Sequence, residues 1–223
     1  MFRYIIFLVG FCISSFSYSQ KITFRAVLNN KPLIFNSNTP FDGSYINVEL
    51  FKLYVSNVEF TYKDGSSFKE RNSYHLIDLA NPKDCELFIS DAKKEIKQLS
   101  FDIGIDSATN YQGAKSGDLD PLKGMYWTWQ SGYINFKIEG SSPLCSSSKN
   151  KFAFHIGGFQ HPFNAIQHIV LDKNSASDIT VEIKLDGFFK SVQLDQRTNV
   201  MSPGRKAMFI AETFKNAFLL KDG

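Results

Sequence analysis

The sequence predicts an all-β protein, a mostly antiparallel β-sandwich with a short C-terminal helix. Three observations lead there. Apolar and polar residues alternate over many short segments, most cleanly at Ile179, Val181, Ile183 and Leu185. Turn chemistry such as Asn29-Asn30 and Asp64-Gly65 separates those segments. The period becomes helical only after Ser202-Pro203, where Ala207, Ala211, Phe214 and Phe218 follow, with Ser202 placed to cap and Pro203 suited to the first turn.

With 223 residues, 22 of them phenylalanine, the chain can bury one core unaided, and all-β domains of this size commonly stay undivided. The formal charge of +3 is small and the basic residues are scattered, which argues against a nucleic-acid partner. Residues 1–19 carry one arginine, a short apolar run from Ile5 to Ile13 and the small residues Ser17 and Ser19. That is the pattern of a secretory signal peptide, and the run is too short to span a membrane. A single domain is expected over 20–223, secreted to the periplasm or the exterior and not membrane-spanning. Phe11 is too bulky to precede a lipid-modified Cys12, so a soluble protein is expected.

Two cysteines remain after the leader, Cys85 and Cys145. In an oxidising compartment they are expected to pair, and the long closed loop would stabilise the fold by roughly 4 kcal/mol in the chain-entropy model. Thiolate ligation of a soft metal is the alternative, without the close cysteine spacing that normally supports it.

Lys21 to Leu28 reads as the first strand, with a return strand starting at Leu33 and Phe35. From Ile46 to Val55 both faces are apolar, as in a buried central strand, and Ser56-Asn57 shifts the parity before Val58, Phe60 and Tyr62, which predicts a bulge. Asp64-Gly65 turns the chain, and Tyr74, Leu76 and Asp78 continue it. Leu87 to Ile96 shows no clean period, whereas Leu99, Phe101, Ile103 and Ile105 alternate well. A long connection rich in Gly, Asp and Asn runs from Asp106 to Lys123. Its Asp106, Asn110, Asp118 and Asp120 fit Asx-turn chemistry better than a calcium loop, because they lack the ligand spacing and the distal glutamate.

That connection delivers the chain to Gly124–Gly140, which holds both tryptophans, Trp127 and Trp129. In an extended backbone these two share a face with Met125 and Tyr133, and Gly132 permits a bulge. Core packing would explain the pair, since indoles bury a large apolar area; an electron-rich ligand site or an open aromatic platform of Trp127, Trp129 and Tyr133 would explain it as well. Of the four histidines, His155 lies on the polar parity of the strand that follows, which should pair with the tryptophan segment. His161 falls in a loop, His168 shares a face with Ile166 and Val170, and His75 is far from the motif in sequence. The chain has no Gly-x-Ser-x-Gly, no His-Glu-x-x-His and no phosphate loop, so binding is expected rather than catalysis.

Met125-Tyr-Trp-Thr-Trp-Gln-Ser-Gly-Tyr133 and the alternating strand to Glu139 resemble the signature of the methanobactin-associated MbnP family. Leu53–Val58, Leu76-Ile77-Asp78, Phe101–Asp106 with Asn110, Phe154-His155-Ile156-Gly157 and Met201–Gly204 match it in the same order. The resemblance implies a secreted copper-binding protein in which Trp127 or Trp129 is oxidised to kynurenine by a diheme partner enzyme and binds copper beside histidines. The metal candidates are then His155, Trp127, Trp129, His161 and His168. Methanobactin-associated members carry Asn-His where this chain has Asn110-Tyr111, and a cysteine just after the His-x-Gly element where this chain has none.

Overall fold

Alternating burial along the strands builds two main sheets, each with one face turned to a shared core. The structure, a computed structural model, describes residues 19–90, 95–129, 132–173 and 178–221. Apart from Ser19, the expected leader lies outside the described residues. In chain order the strands are β1 (Ser19–Leu28), β2 (Lys31–Pro32), β3 (Thr39–Phe41), β4 (Ser44–Tyr62), β5 (Ser67–Lys69), β6 (Tyr74–Asp78), β7 (Glu86–Ser90) and β8 (Ile96–Ile103). A short helix α1 (Ser107–Tyr111) leads to β9 (Tyr126–Trp127), β10 (Gly132–Ser141), β11 (Lys151–Gly157), β12 (Phe159–Gln160), β13 (Phe163–Asn164) and β14 (Gln167–Asp172). The chain ends with β15 (Ile179–Lys184), α2 (Leu185–Val192), β16 (Asn199–Val200), α3 (Arg205–Lys215) and β17 (Phe218–Leu220).

The smaller sheet runs β17-β15-β1-β2, with β7 also on β1. The larger runs β14-β8-β4-β10-β11-β16, with β3, β5 and β6 on β4 and β9 on β10. Pairing is mostly antiparallel, as expected; β1 with β15 and β11 with β16 are parallel. Phe51, Leu53, Phe136, Ile138, Phe154 and Ile156 of the larger sheet meet Ile22, Phe24, Val181 and Ile183 of the smaller in one apolar core. Both longer helices close it: Phe136 stacks on Phe214 with ring centroids 4.1 Å apart, and Phe188 meets both rings edge-on.

The expected bulge in β4 is present. Register shifts between Ser56 and Glu59, Asn57 has a positive φ of 51°, and its side-chain amide donates to Asp102 at 2.8 Å. Three boundaries differ from the sequence reading. Leu33 and Phe35 lie beyond β2 instead of starting a return strand. Leu185 opens α2 instead of ending a strand, because Leu185, Phe188, Phe189 and Val192 form a buried stripe at helical spacing that runs straight on from the strand. The last helix begins at Arg205 with Gly204 at its N-cap, not Ser202, and it stops before Phe218, which pairs with Ile183 in β17.

Phe136 is fully buried between the sheet and both helices. Phe136→Ala should therefore cost about 3–5 kcal/mol, seen in urea as a lower midpoint with an unchanged slope.

Candidate functional site

On the side of the larger sheet facing away from the main core, a second apolar cluster forms from Tyr54, Ile105, Leu119, Met125, Trp127, Tyr133 and Ile134. The connection from Gly104 to Gly124 covers it. Asp106 caps α1 by accepting from the Thr109 amide, and Tyr74 donates to its carboxylate at 2.6 Å. Asp118 accepts from the Leu76 amide and from Lys123, while Asp120 caps a short turn through the Leu122 amide. The aspartates thus act in turns and caps.

The tryptophan segment is a hairpin, where the sequence reading had one extended strand. Trp127 pairs with Gly132 and Tyr126 with Tyr133, so the two segments run antiparallel. The indoles of Trp127 and Trp129 still lie together, with centroids 5.9 Å apart and planes tilted by 50°. Their surroundings differ sharply: Trp127 is 6% exposed, Trp129 62%. Tyr133 is buried, accepts from the Lys115 amide at 3.0 Å and donates to the Leu119 carbonyl at 3.1 Å. Two of the three rings of the expected platform are therefore covered, and only Trp129 is open to a partner.

Beyond the hairpin, β10 pairs with β11, as expected for the His155 strand. The register sets His155 opposite Lys137 and diagonal to Glu139, whose carboxylate meets the His155 Nε2 at 2.6 Å. The Trp127 ring packs on the same strand, because a Cβ on Gly157 would stand 2.8 Å from its Cζ3 and 3.1 Å from its Cη2. Residues 155 and 157 share a face with their Cα atoms about 7 Å apart, so the buried imidazole and the Trp127 ring lie on the same side of β11. They lie together outside the sandwich core.

Burial pushes the His155 pKa below the ordinary histidine value; the Glu139 bond opposes this in part and Lys137 adds to it. Burial alone would raise Glu139, but the bond from His155 and the charge of Lys137 bring it below the ordinary carboxylate value. An ionised carboxylate only accepts, so the proton sits on Nε2 and the Nδ1 lone pair is left for another partner.

The other histidines stand apart. His168 pairs with Asp102 at 2.7 Å and is largely exposed. It lies on β14, four strand spacings from β11, roughly 19 Å across the sheet. His161 is exposed at the turn between β12 and β13, beside a cavity of about 380 Å³ lined by Phe159, Gln160, Phe163 and Pro203. His75 pairs with Glu70 at 2.7 Å. Among the described residues no three His, Cys, Asp or Glu side chains are grouped to hold a metal ion.

The profile of the MbnP family matches residues 17–202. The chain belongs to the MbnP family. Among solved structures, MbnP from Methylosinus trichosporium is similar over 86% of this chain and 87% of its own, at 17% identity and a TM-score of 0.65. No curated protein matches the chain. The family match takes in both sheets, apart from β17, and the whole tryptophan hairpin, and it stops before α3.

The expected disulfide is not formed, and both cysteines are free thiols. Cys85 lies beside the smaller sheet, where its carbonyl accepts from the Phe24 amide and its Sγ donates to Asp78 and Asn81 carbonyls. Cys145 is buried in the turn after β10 in the larger sheet, tied to Ser142. Burial raises both thiols, Cys85 to about 11 with help from Asp78, Asp84 and Glu86, so neither is a ready thiolate ligand.

Sequence reasoning missed the parts played by Glu139 and Gly157. Glu139 becomes visible only with the β10–β11 register, whereas Gly157 within a strand pattern is itself a signal that another group approaches the backbone. Gly157→Ala should push Trp127 off β11, with red-shifted tryptophan emission and a weaker near-UV circular dichroism signal.

For the histidine, NMR titration should find His155 below the ordinary value of 6.5, and Glu139→Gln should lower it further by removing the group that favours its charge. Both groups have depressed folded values. Their stabilisation is present above the unfolded values, 6.5 and 4.5, and is lost as pH falls from there through the folded ones.

Proposed function

We propose that this protein binds copper outside the cytoplasm and acts as a metal-binding protein, not an enzyme. One observation carries the reading. His155 gives its Nε2–H to Glu139 on the face of β11 that also carries Trp127. Histidine ligands are commonly held in this way, with a carboxylate fixing the tautomer and the other nitrogen turned to the metal. The depressed His155 pKa keeps the ring neutral, as ligation requires.

The unmodified residues fit copper only in part, since one imidazole is not a complete donor set. Oxidation of Trp127 or Trp129 to kynurenine would supply an aniline-type nitrogen beside it, and family resemblance points to a diheme enzyme as the oxidising partner. Neutral nitrogen donors suit copper. The leader-like N-terminus supports an extracytoplasmic location, and among the described residues no helix is long and apolar enough to cross a membrane.

Cu(I) competition against a chromophoric chelator tests this on protein made with its oxidising partner, with intact mass recorded on each sample. The expected mass change is one carbon lost and one oxygen gained on the hairpin peptide. Copper should bind the modified protein, and His155→Ala should weaken binding by about tenfold or more, about 1.4 kcal/mol. Equal affinity in the variant, or no binding by oxidised protein, would overturn the reading. The exposed rings of Trp129 and Tyr111 would then favour the second one, a module that holds a glycan or protein partner on an aromatic surface.

A further inference from the structure

On the smaller sheet, away from the tryptophan hairpin, one edge of β1 is paired twice and left open in between. β7 covers it as far as Thr23, which pairs with Glu86, and β2 takes it up again at Val27, which pairs with Pro32. The last bonds on either side run from the Phe24 amide to the Cys85 carbonyl at 2.8 Å and from the Leu33 amide to the Ala26 carbonyl at 2.9 Å. Alternate residues of a strand turn both of their polar backbone atoms to the same edge. The Phe24 carbonyl and the Ala26 N–H therefore face the open interval, and among the described residues neither has a backbone partner there.

A cavity of about 290 Å³ fills the interval. Its walls are Pro32, Leu33, Phe35, Leu79 and Pro82, apolar side chains of which the two prolines bring no N–H of their own. The Cys85 thiol also lines it, but donates to the Asp78 and Asn81 carbonyls. Arg25 stands exposed at the rim. The cavity thus offers one free N–H, one free carbonyl, one cation and an apolar interior.

We infer that this cleft captures the C-terminal residue of a peptide whose last side chain is apolar. The gap spans a single residue of β1, Arg25. An antiparallel guest would need three residues to reach both free atoms, and β7 and β2 already hold the flanking places. A parallel guest needs only one, whose N–H donates to the Phe24 carbonyl while its own carbonyl group accepts from Ala26. A guest chain continuing beyond Ala26 would run into Leu33, so that residue ends the chain and its acceptor is a carboxylate. Arg25 supplies the opposite charge. The acids near Cys85 are already engaged, Asp78 with Lys52 at 3.3 Å and Glu86 with Lys21 at 3.0 Å. Main-chain bonds would hold the guest in register, and the apolar walls would select its side chain.

Fluorescence anisotropy with fluorescein-labelled Gly-Ser-Gly-Leu tests this on the purified protein, beside the same peptide as its C-terminal amide and a version ending in aspartate. The leucine acid should bind saturably below about 1 mM, and the amide and the aspartate peptide should each bind about tenfold more weakly or worse. Arg25→Gln, at an exposed position, should weaken the leucine acid by about tenfold and leave the amide unchanged, since only the charge pair is removed. Leu33→Asp should abolish binding by putting a carboxylate into the cleft, with circular dichroism checking that each variant is folded. No saturable binding of the leucine acid would overturn the inference. So would equal affinity for acid and amide, or an unchanged affinity in a folded Leu33→Asp protein.

Discussion

Tyr54, Trp127 and Tyr133 place aromatic rings on the side of the large sheet turned away from the sandwich core, and the connection from Gly104 to Gly124 keeps water off them. Most β-sandwiches leave such a face to solvent. Here it is apolar, so the chain must spend a long segment covering it. Ordering that segment costs conformational entropy, which local hydrogen bonding reduces. Asp106 and Asp120 close turns, and the hydroxyls of Tyr54, Tyr74 and Tyr133 pin the cover to the sheet. Polar atoms thus anchor the lid and apolar rings fill the space beneath it.

One irregularity lets β10 serve both cores. The register with β11 shifts between Ile134 and Phe136, so Ile134 belongs to the outer cluster and Phe136 to the inner one. The residue between them, Asn135, is buried against Gly104, where a side chain would stand 2.5 Å from its Cγ. Gly104 has a φ of 121°, which favours glycine. Close approach and backbone conformation therefore ask for the same residue at the start of the cover. Past the bulge the pairing with β11 is regular, and that regularity brings Lys137, Glu139 and His155 into one polar group beside the aromatic cluster.

Much of this was legible in the sequence because it depends on periods and turns. The alternation in β8, β11 and β15, the Asp64-Gly65 hairpin and the bulge after Ser56 follow from local chemistry. The choice of His155 over the other histidines also follows, since strand parity and chain neighbourhood suffice. The reversal at Trp127 was not legible. Tyr126-Trp127-Thr128-Trp129 has strong strand propensity, and only pairing with Gly132 and Tyr133 shows that the chain turns back. The same limit explains α2, whose helical stripe begins on the last residue of an alternating run. Cys85 and Cys145 were set apart by sheet topology, which no spacing rule contains.

Asn110 and Tyr111 show how fold and site can separate at adjacent positions. Asn110 is buried, donates to the carbonyls of Ile105 and Asp106 and accepts from the Tyr133 amide. It ties α1 to the tryptophan hairpin, so its loss would loosen the cover whatever the protein binds. Tyr111, one residue on, is 70% exposed and packs its ring against Phe159 at 5.2 Å. None of the Asn110 hydrogen bonds uses its side chain. A residue there can change without breaking those bonds, so chemistry at the rim can vary while the Asn110 anchor, the aromatic cluster and the His155–Glu139 pair hold the scaffold in place.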